Sequence, residues 1–203
     1  MKILSVFIVA VILVIVSAGC KVRRISDGKP PKDGVVLRET IDQKYGPIHA
    51  EDHYRDSRLR YVKGTYSSGT LAYERFLNRE VGRLDSTAWY FPSGQLMFTM
   101  VLGYDRMLFF TEYYENGTVR VHSDTTKSNE FYLSGKKNCT IVYQNGFIVL
   151  IERWYENGKK LELSEWKNDQ RHGKRCEWDS TGRLTVNEFY AQGKLKNSSV
   201  TIK

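Results

Sequence analysis

The sequence predicts an all-β fold, an elongated antiparallel meander of β-hairpins forming a single open sheet, preceded by a signal helix and a polar linker. Three observations predict it. Single glycines recur at strand-length intervals through the C-terminal two thirds of the chain. Most follow Asn or Ser, as in Ser68-Gly69, Ser93-Gly94, Asn116-Gly117, Ser134-Gly135, Asn145-Gly146 and Asn157-Gly158. Pairs of large, mostly aromatic residues stand four and three positions before them, as Tyr113-Tyr114, Phe131-Tyr132, Trp154-Tyr155 and Phe189-Tyr190 do.

The chain opens on Met1-Lys2, an apolar run from Ile3 to Val16 broken by Ser5, and Ser17-Ala18-Gly19-Cys20. A short basic start, an apolar core and small residues before a break describe a secretory signal over residues 1–19. The ending resembles the lipobox of bacterial lipoproteins, with Ser17 where Leu is usual, and that resemblance makes Cys20 the lipidation site. Each buried methylene of an acyl chain contributes about 0.8 kcal/mol, so several chains hold a soluble domain on a bilayer. The expected partner is then a membrane reached through N-terminal lipid. The expected place is the cell envelope, at the outer membrane or facing the periplasm where two membranes exist. The alternative is an uncleaved N-terminal helix. Lys21, Arg23 and Arg24 follow the apolar run, and the positive-inside rule would then hold the rest of the chain in the cytoplasm.

Residues 20–60 read as a tether and possible cap. They are polar and carry Asp27-Gly28, Lys29-Pro30-Pro31 and Asp33-Gly34, which are turn and extended signals. A strand around Val35 to Leu37 and a short helix around Ala50 to Leu59 are the elements this stretch suggests.

Residues 61–203 form the repeat domain. Gly69, Gly94, Gly117, Gly135, Gly146, Gly158, Gly182 and Gly193 are its turn residues, since Asn-Gly and Ser-Gly supply the left-handed conformations of tight hairpins. In the C-terminal half the turns at Gly135, Gly146, Gly158, Asp169, Gly182 and Gly193 are separated by 11, 12, 11, 13 and 11 residues. That leaves about seven to nine residues per strand. The gap of 18 between Gly117 and Gly135 points to a degenerate or missing hairpin. Alternation places one ring of each aromatic pair on either face of the sheet, in rows that stack across strands. Tyr114, Tyr132, Tyr155, Trp166 and Tyr190 are the aromatics available for binding, with stabilisation of the sheet as their other use.

Trp154-Tyr155-Glu156-Asn157-Gly158-Lys159-Lys160-Leu161, followed by Trp166-Lys167-Asn168 and His172-Gly173, resembles the MORN-repeat variant found in many bacterial proteins. Tyr113-Tyr114-Glu115-Asn116-Gly117 and Phe189-Tyr190-Ala191-Gln192-Gly193-Lys194-Leu195 follow the same pattern, and the resemblance covers about residues 61–197. Asp169 departs from it in place of a turn glycine. The resemblance implies a scaffold, protein-binding or lipid-associated module. It also implies an alternative as the antitoxin member of a toxin and antitoxin pair.

Chemistry-bearing patterns are few. His49-Ala50-Glu51-Asp52-His53 puts two His four apart, on one face if helical, but lacks the His-Glu-x-x-His order and further ligands. A metal is therefore not expected, nor is a cofactor. Cys139 and Cys176 fall on strands three apart, about 14 Å at normal strand spacing, so they are expected to be unpaired. No phosphate loop or nucleophile elbow occurs, which argues against an enzyme. The 31 Lys and Arg against 23 Asp and Glu give +8. This excess is spread rather than blocked, so nucleic acid is not an expected partner. The reading is a non-catalytic, lipid-anchored envelope binding or scaffold protein with a protein partner, or alternatively an antitoxin or immunity-type protein.

Overall fold

The structure is a computed structural model that describes residues 31–77, 84–103 and 106–199. Every helix or strand among them is a strand, grouped in two units. The N-terminal unit holds β1 (Gly34–Asp42), β2 (Gly46–Arg55), β3 (Arg58–Tyr66), β4 (Leu71–Leu77), β5 (Leu84–Tyr90), β6 (Leu96–Leu102) and β7 (Met107–Tyr113). The C-terminal unit holds β8 (Val119–Asp124), β9 (Lys127–Phe131), β10 (Lys137–Gln144), β11 (Phe147–Trp154), β12 (Lys160–Lys167), β13 (Gln170–Trp178), β14 (Leu184–Ala191) and β15 (Lys194–Ser198). Within each unit strand order follows chain order, every pairing is antiparallel and the sheet stays open. The all-β meander read from the sequence is thus what both units contain. The leader, its signal helix and Cys20 lie outside the described residues.

Two local expectations are corrected. The stretch read as tether with a helix at Ala50 to Leu59 holds β1, β2 and the start of β3. His49, Glu51 and His53 share a face because they alternate along a strand, and the same spacing had suggested a helix turn. The hairpin thought degenerate or missing between Gly117 and Gly135 exists as β8 and β9. Its turn uses an acidic cap in place of glycine, with Asp124 Oδ1 accepting from the Thr126 and Lys127 amides at 2.6 and 2.9 Å.

Two turn types alternate through the C-terminal unit. One is a glycine turn: the amides of Gly135, Gly158 and Gly182 donate to the carbonyls of Tyr132, Tyr155 and Asp179 at 2.8 Å, and the same bond recurs at Gly69 and Gly94. The other is a two-residue turn with both φ positive: Asn145-Gly146, Asn168-Asp169 and Gln192-Gly193, with Asp56-Ser57 as the N-terminal example. Such turns match the twist of the strands they join. After each glycine turn the register shifts by one, leaving Ala72, Met97, Asn138, Leu161 and Thr185 without a direct partner. These bulges sit three residues past their glycines and add twist at a fixed phase of the repeat.

The N-terminal unit buries one face. Ile48, Ala50, Val62, Tyr66, Ala72 and Tyr73 form its core. Tyr73 lies flat over β3, where a Cβ on Gly64 would stand 2.5 Å from its ring. Arg38 and Asp52 pair at 2.7 Å on this face. Burial works against the Arg38 charge, and the Asp52 hydrogen bond together with the charge interactions of Tyr73 and Asp52 outweighs it, so the guanidinium pKa is raised. The buried side chains of the C-terminal unit are small, namely Ser128, Cys139, Thr140 and Ser164. Turns and ladders, more than a core, hold it.

Candidate binding surface

The aromatic pairs before the glycines serve the turns. Tyr66 ends its strand and Tyr114, Tyr132 and Tyr155 begin the turn, so these rings sit at strand ends and not in a mid-sheet row. The Tyr132 hydroxyl donates to the Trp154 carbonyl at 2.8 Å, and the Tyr155 hydroxyl to the Trp178 carbonyl at 2.9 Å. Tyr66 does the same to the Tyr90 carbonyl at 2.7 Å. Each tyrosine therefore reaches one repeat ahead, to the residue before the next turn. Burial, with Asp42 and Tyr45 nearby, raises the Tyr66 hydroxyl pKa to about 12, so it remains a donor. Tyr114 occupies the equivalent turn position, its carbonyl accepting from the Gly117 amide at 2.9 Å.

Asn157 and Lys159 extend this stapling, donating to the Ser180 and Thr181 carbonyls at 2.8 and 2.5 Å. Trp166 and Tyr190 face a different task. The Arg171 guanidinium lies 5.7 Å from the Trp166 ring centroid and 5.5 Å from that of Tyr190, within cation–π reach of both. The Tyr190 hydroxyl also donates to Glu188, which pairs with Arg175 at 2.6 Å.

Mid-strand ring stacking occurs at other positions. Tyr73, Trp89, Phe98 and Phe110 form a chain on the buried face of the N-terminal unit, with centroids 4.7, 6.0 and 5.9 Å apart. Arg75 covers it, 4.6 Å from the Tyr73 centroid and 5.2 Å from that of Trp89.

The opposite face of this unit is open. Val35, His53, Tyr61, Phe76, Ser86, Val101 and Phe109 stand directly opposite one another in succession from β1 to β7. Val35, Phe76 and Phe109 are each more than half exposed. Ring contacts tie the first part together, with His53–Tyr61 centroids at 5.1 Å and Tyr61–Phe76 at 4.9 Å. Glu74 accepts from the Tyr61 hydroxyl at 2.7 Å and from Tyr90 at 3.5 Å, and burial together with this carboxylate raises both phenol pKa values. At the Asp56-Ser57 end a groove runs between His53, Arg55, Arg60, Tyr61 and Phe76. The sequence reading missed this row. Its signal was alternation in β1, where Val35, Leu37 and Ile41 are every second or fourth residue.

The remaining expected groups are apart. His49 and His53, four residues along a strand, are about 13 Å apart, beside Glu39 at 3.6 Å and Glu51 at 3.3 Å respectively. Among the described residues no three or more His, Cys, Asp or Glu side chains gather as a metal would require. Cys139 is opposite Arg153, Glu162 and then Glu177 across successive strands, which puts its neighbour Cys176 on the other face. Both thiols are free, and burial raises the Cys139 pKa.

Residues 150–168 match the family model of the MORN repeat variant. The match spans the end of β11, the glycine turn at Gly158, all of β12 and Asn168. It therefore covers one stapled turn. No match to a curated protein is found. Over these residues the chain is similar to that repeat, within a sheet whose glycine turns recur at Gly69, Gly94, Gly135, Gly158 and Gly182.

Proposed function

We propose that this chain is a non-catalytic binding and scaffold protein that displays its repeat sheet from a membrane, with lipid on Cys20 as the anchor. The observation that carries the binding role is the exposed row through Val35, Phe76 and Phe109. The aromatics at Tyr132 and Tyr155 are engaged in holding repeats together, so recognition falls to the open face. Half-exposed Tyr and Phe side chains beside arginines have the composition of protein contact sites. The partner is accordingly a protein. Membrane attachment rests on the Ser-Ala-Gly-Cys ending, and it places the sheet in the cell envelope.

The binding role is tested by placing a photoreactive phenylalanine analogue at Phe76 or Phe109 of the full chain in its native cells, with Asn197 as control. A discrete adduct from positions 76 and 109, absent at 197, is the expected result. No adduct, or the same adducts from all three positions, contradicts the reading. If the adduct contains a toxic protein, the role narrows to that of an antitoxin or immunity protein.

A further inference from the structure

The two outermost strands are built differently. β15 has five residues, all exposed, with Lys194 and Lys196 among them, and its pairing with β14 contains a register shift. Short length, lysines and irregular register are the devices that keep a sheet edge from recruiting another strand. β1 has none of these three, and its charged residues, Arg38, Glu39 and Asp42, fall from its centre onward. It runs nine residues and pairs with β2 through nine positions without a shift, whereas every other pairing in its unit contains one. Among the described residues it has no neighbour on its outer side. Val35 and Leu37 on it are more than half exposed.

We propose that the outer edge of β1 pairs antiparallel with β1 of a second copy of this chain, in a register centred on Val36. The reason is self-complementarity. In a continuous antiparallel sheet, side chains directly opposite share a face, so a twofold pairing must centre on a residue and not between two. Centring on Arg38 sets guanidinium against guanidinium, and centring on Glu39 sets carboxylate against carboxylate. Centring on Val36 sets Val36 against itself, Val35 against Leu37 of the second copy, and Leu37 against Val35. Of these three apolar pairs, the two between Val35 and Leu37 cover side chains that are more than half exposed. The next pair outward opposes Gly34 and Arg38, and the one beyond opposes Asp33 and Glu39, which limits the ladder to five positions. The contact is isologous, so it closes at two copies. It uses Val35, the β1 end of the exposed row, and leaves Phe76 and Phe109 open in both copies.

Directly opposed residues have Cα atoms about 4.5–5.5 Å apart, within disulfide reach. The full chain carrying Val36→Cys, with Cys139→Ser and Cys176→Ser, should give a disulfide-linked dimer under mild oxidation in membranes, and Lys194→Cys in the same background should not. Mixing Val35→Cys and Leu37→Cys chains should link them more than tenfold faster than either alone. A monomeric Val36→Cys chain that keeps the β circular dichroism of the wild type overturns the proposal. An adduct between position 36 and a different protein overturns it too, by giving the edge to another occupant.

Discussion

Asp179 opens the glycine turn at Gly182, where other repeats have an aromatic, and its carboxylate caps that turn from within. Oδ1 accepts from the Thr181 hydroxyl and amide at 2.5 and 2.9 Å and from the Arg183 amide at 3.0 Å. The Thr181 hydroxyl, then the Arg183 amide, lower its pKa to about 2. A folded pKa below the unfolded one contributes stability above the unfolded value, which is lost as pH falls toward the folded one. Asp179→Asn keeps an acceptor and removes the charge. It should lower the urea midpoint at about pH 6, where the carboxylate is charged, and match wild type below about pH 2, where it is not. Denaturation at both pH values checks this. In the sequence Asp179 stands where other repeats have an aromatic. Its capping role depends on hydrogen bonds that spacing alone does not reveal.

At the scale of the hairpin, the tyrosines before Gly69, Gly135 and Gly158 carry the linkage between repeats. Tyr155 donates to Trp178 across 23 residues, and this bond joins the β11–β12 turn to the β13–β14 turn. Tyr155→Phe removes one hydrogen bond and leaves the ring, at a cost of about 0.5–1.5 kcal/mol. Hydrogen exchange should quicken around Asp179 to Arg183 and stay unchanged in the N-terminal unit. Uniform quickening, or none, would show that the hydroxyl does not couple the turns. Turn positions were legible because Asn-Gly and Ser-Gly are local chemistry. The turns at Asp56-Ser57 and at Thr125-Thr126 were not, since the first lacks glycine and the second depends on Asp124. β2 was misread because residues one helical turn apart also lie on one face of a strand, so His49 and His53 fit both periods. Only pairing with β1 and β3 decides between them.

Over the whole chain, the repeat was legible as a meander, and the unequal use of its faces was not. Which face is buried depends on register, and register emerges only when β1 through β7 pair. Then Ile48, Val62 and Tyr73 fall together on one side, while Val35, Phe76 and Phe109 fall on the other. A display surface needs a fixed point, and under the proposed function Cys20 would supply it, followed in the sequence by Lys21, Arg23 and Arg24. The account's central claim, a repeat sheet held at a membrane by lipid, is tested most directly by labelling cells with a fatty-acid analogue. Wild type is compared with Cys20→Ser for label, for chain size and for membrane fractionation. The account predicts label on a shortened, membrane-bound wild-type chain and none on the Cys20→Ser chain. An unlabelled, full-length wild-type chain in the membrane contradicts it, and would fit the uncleaved helix with the sheet in the cytoplasm.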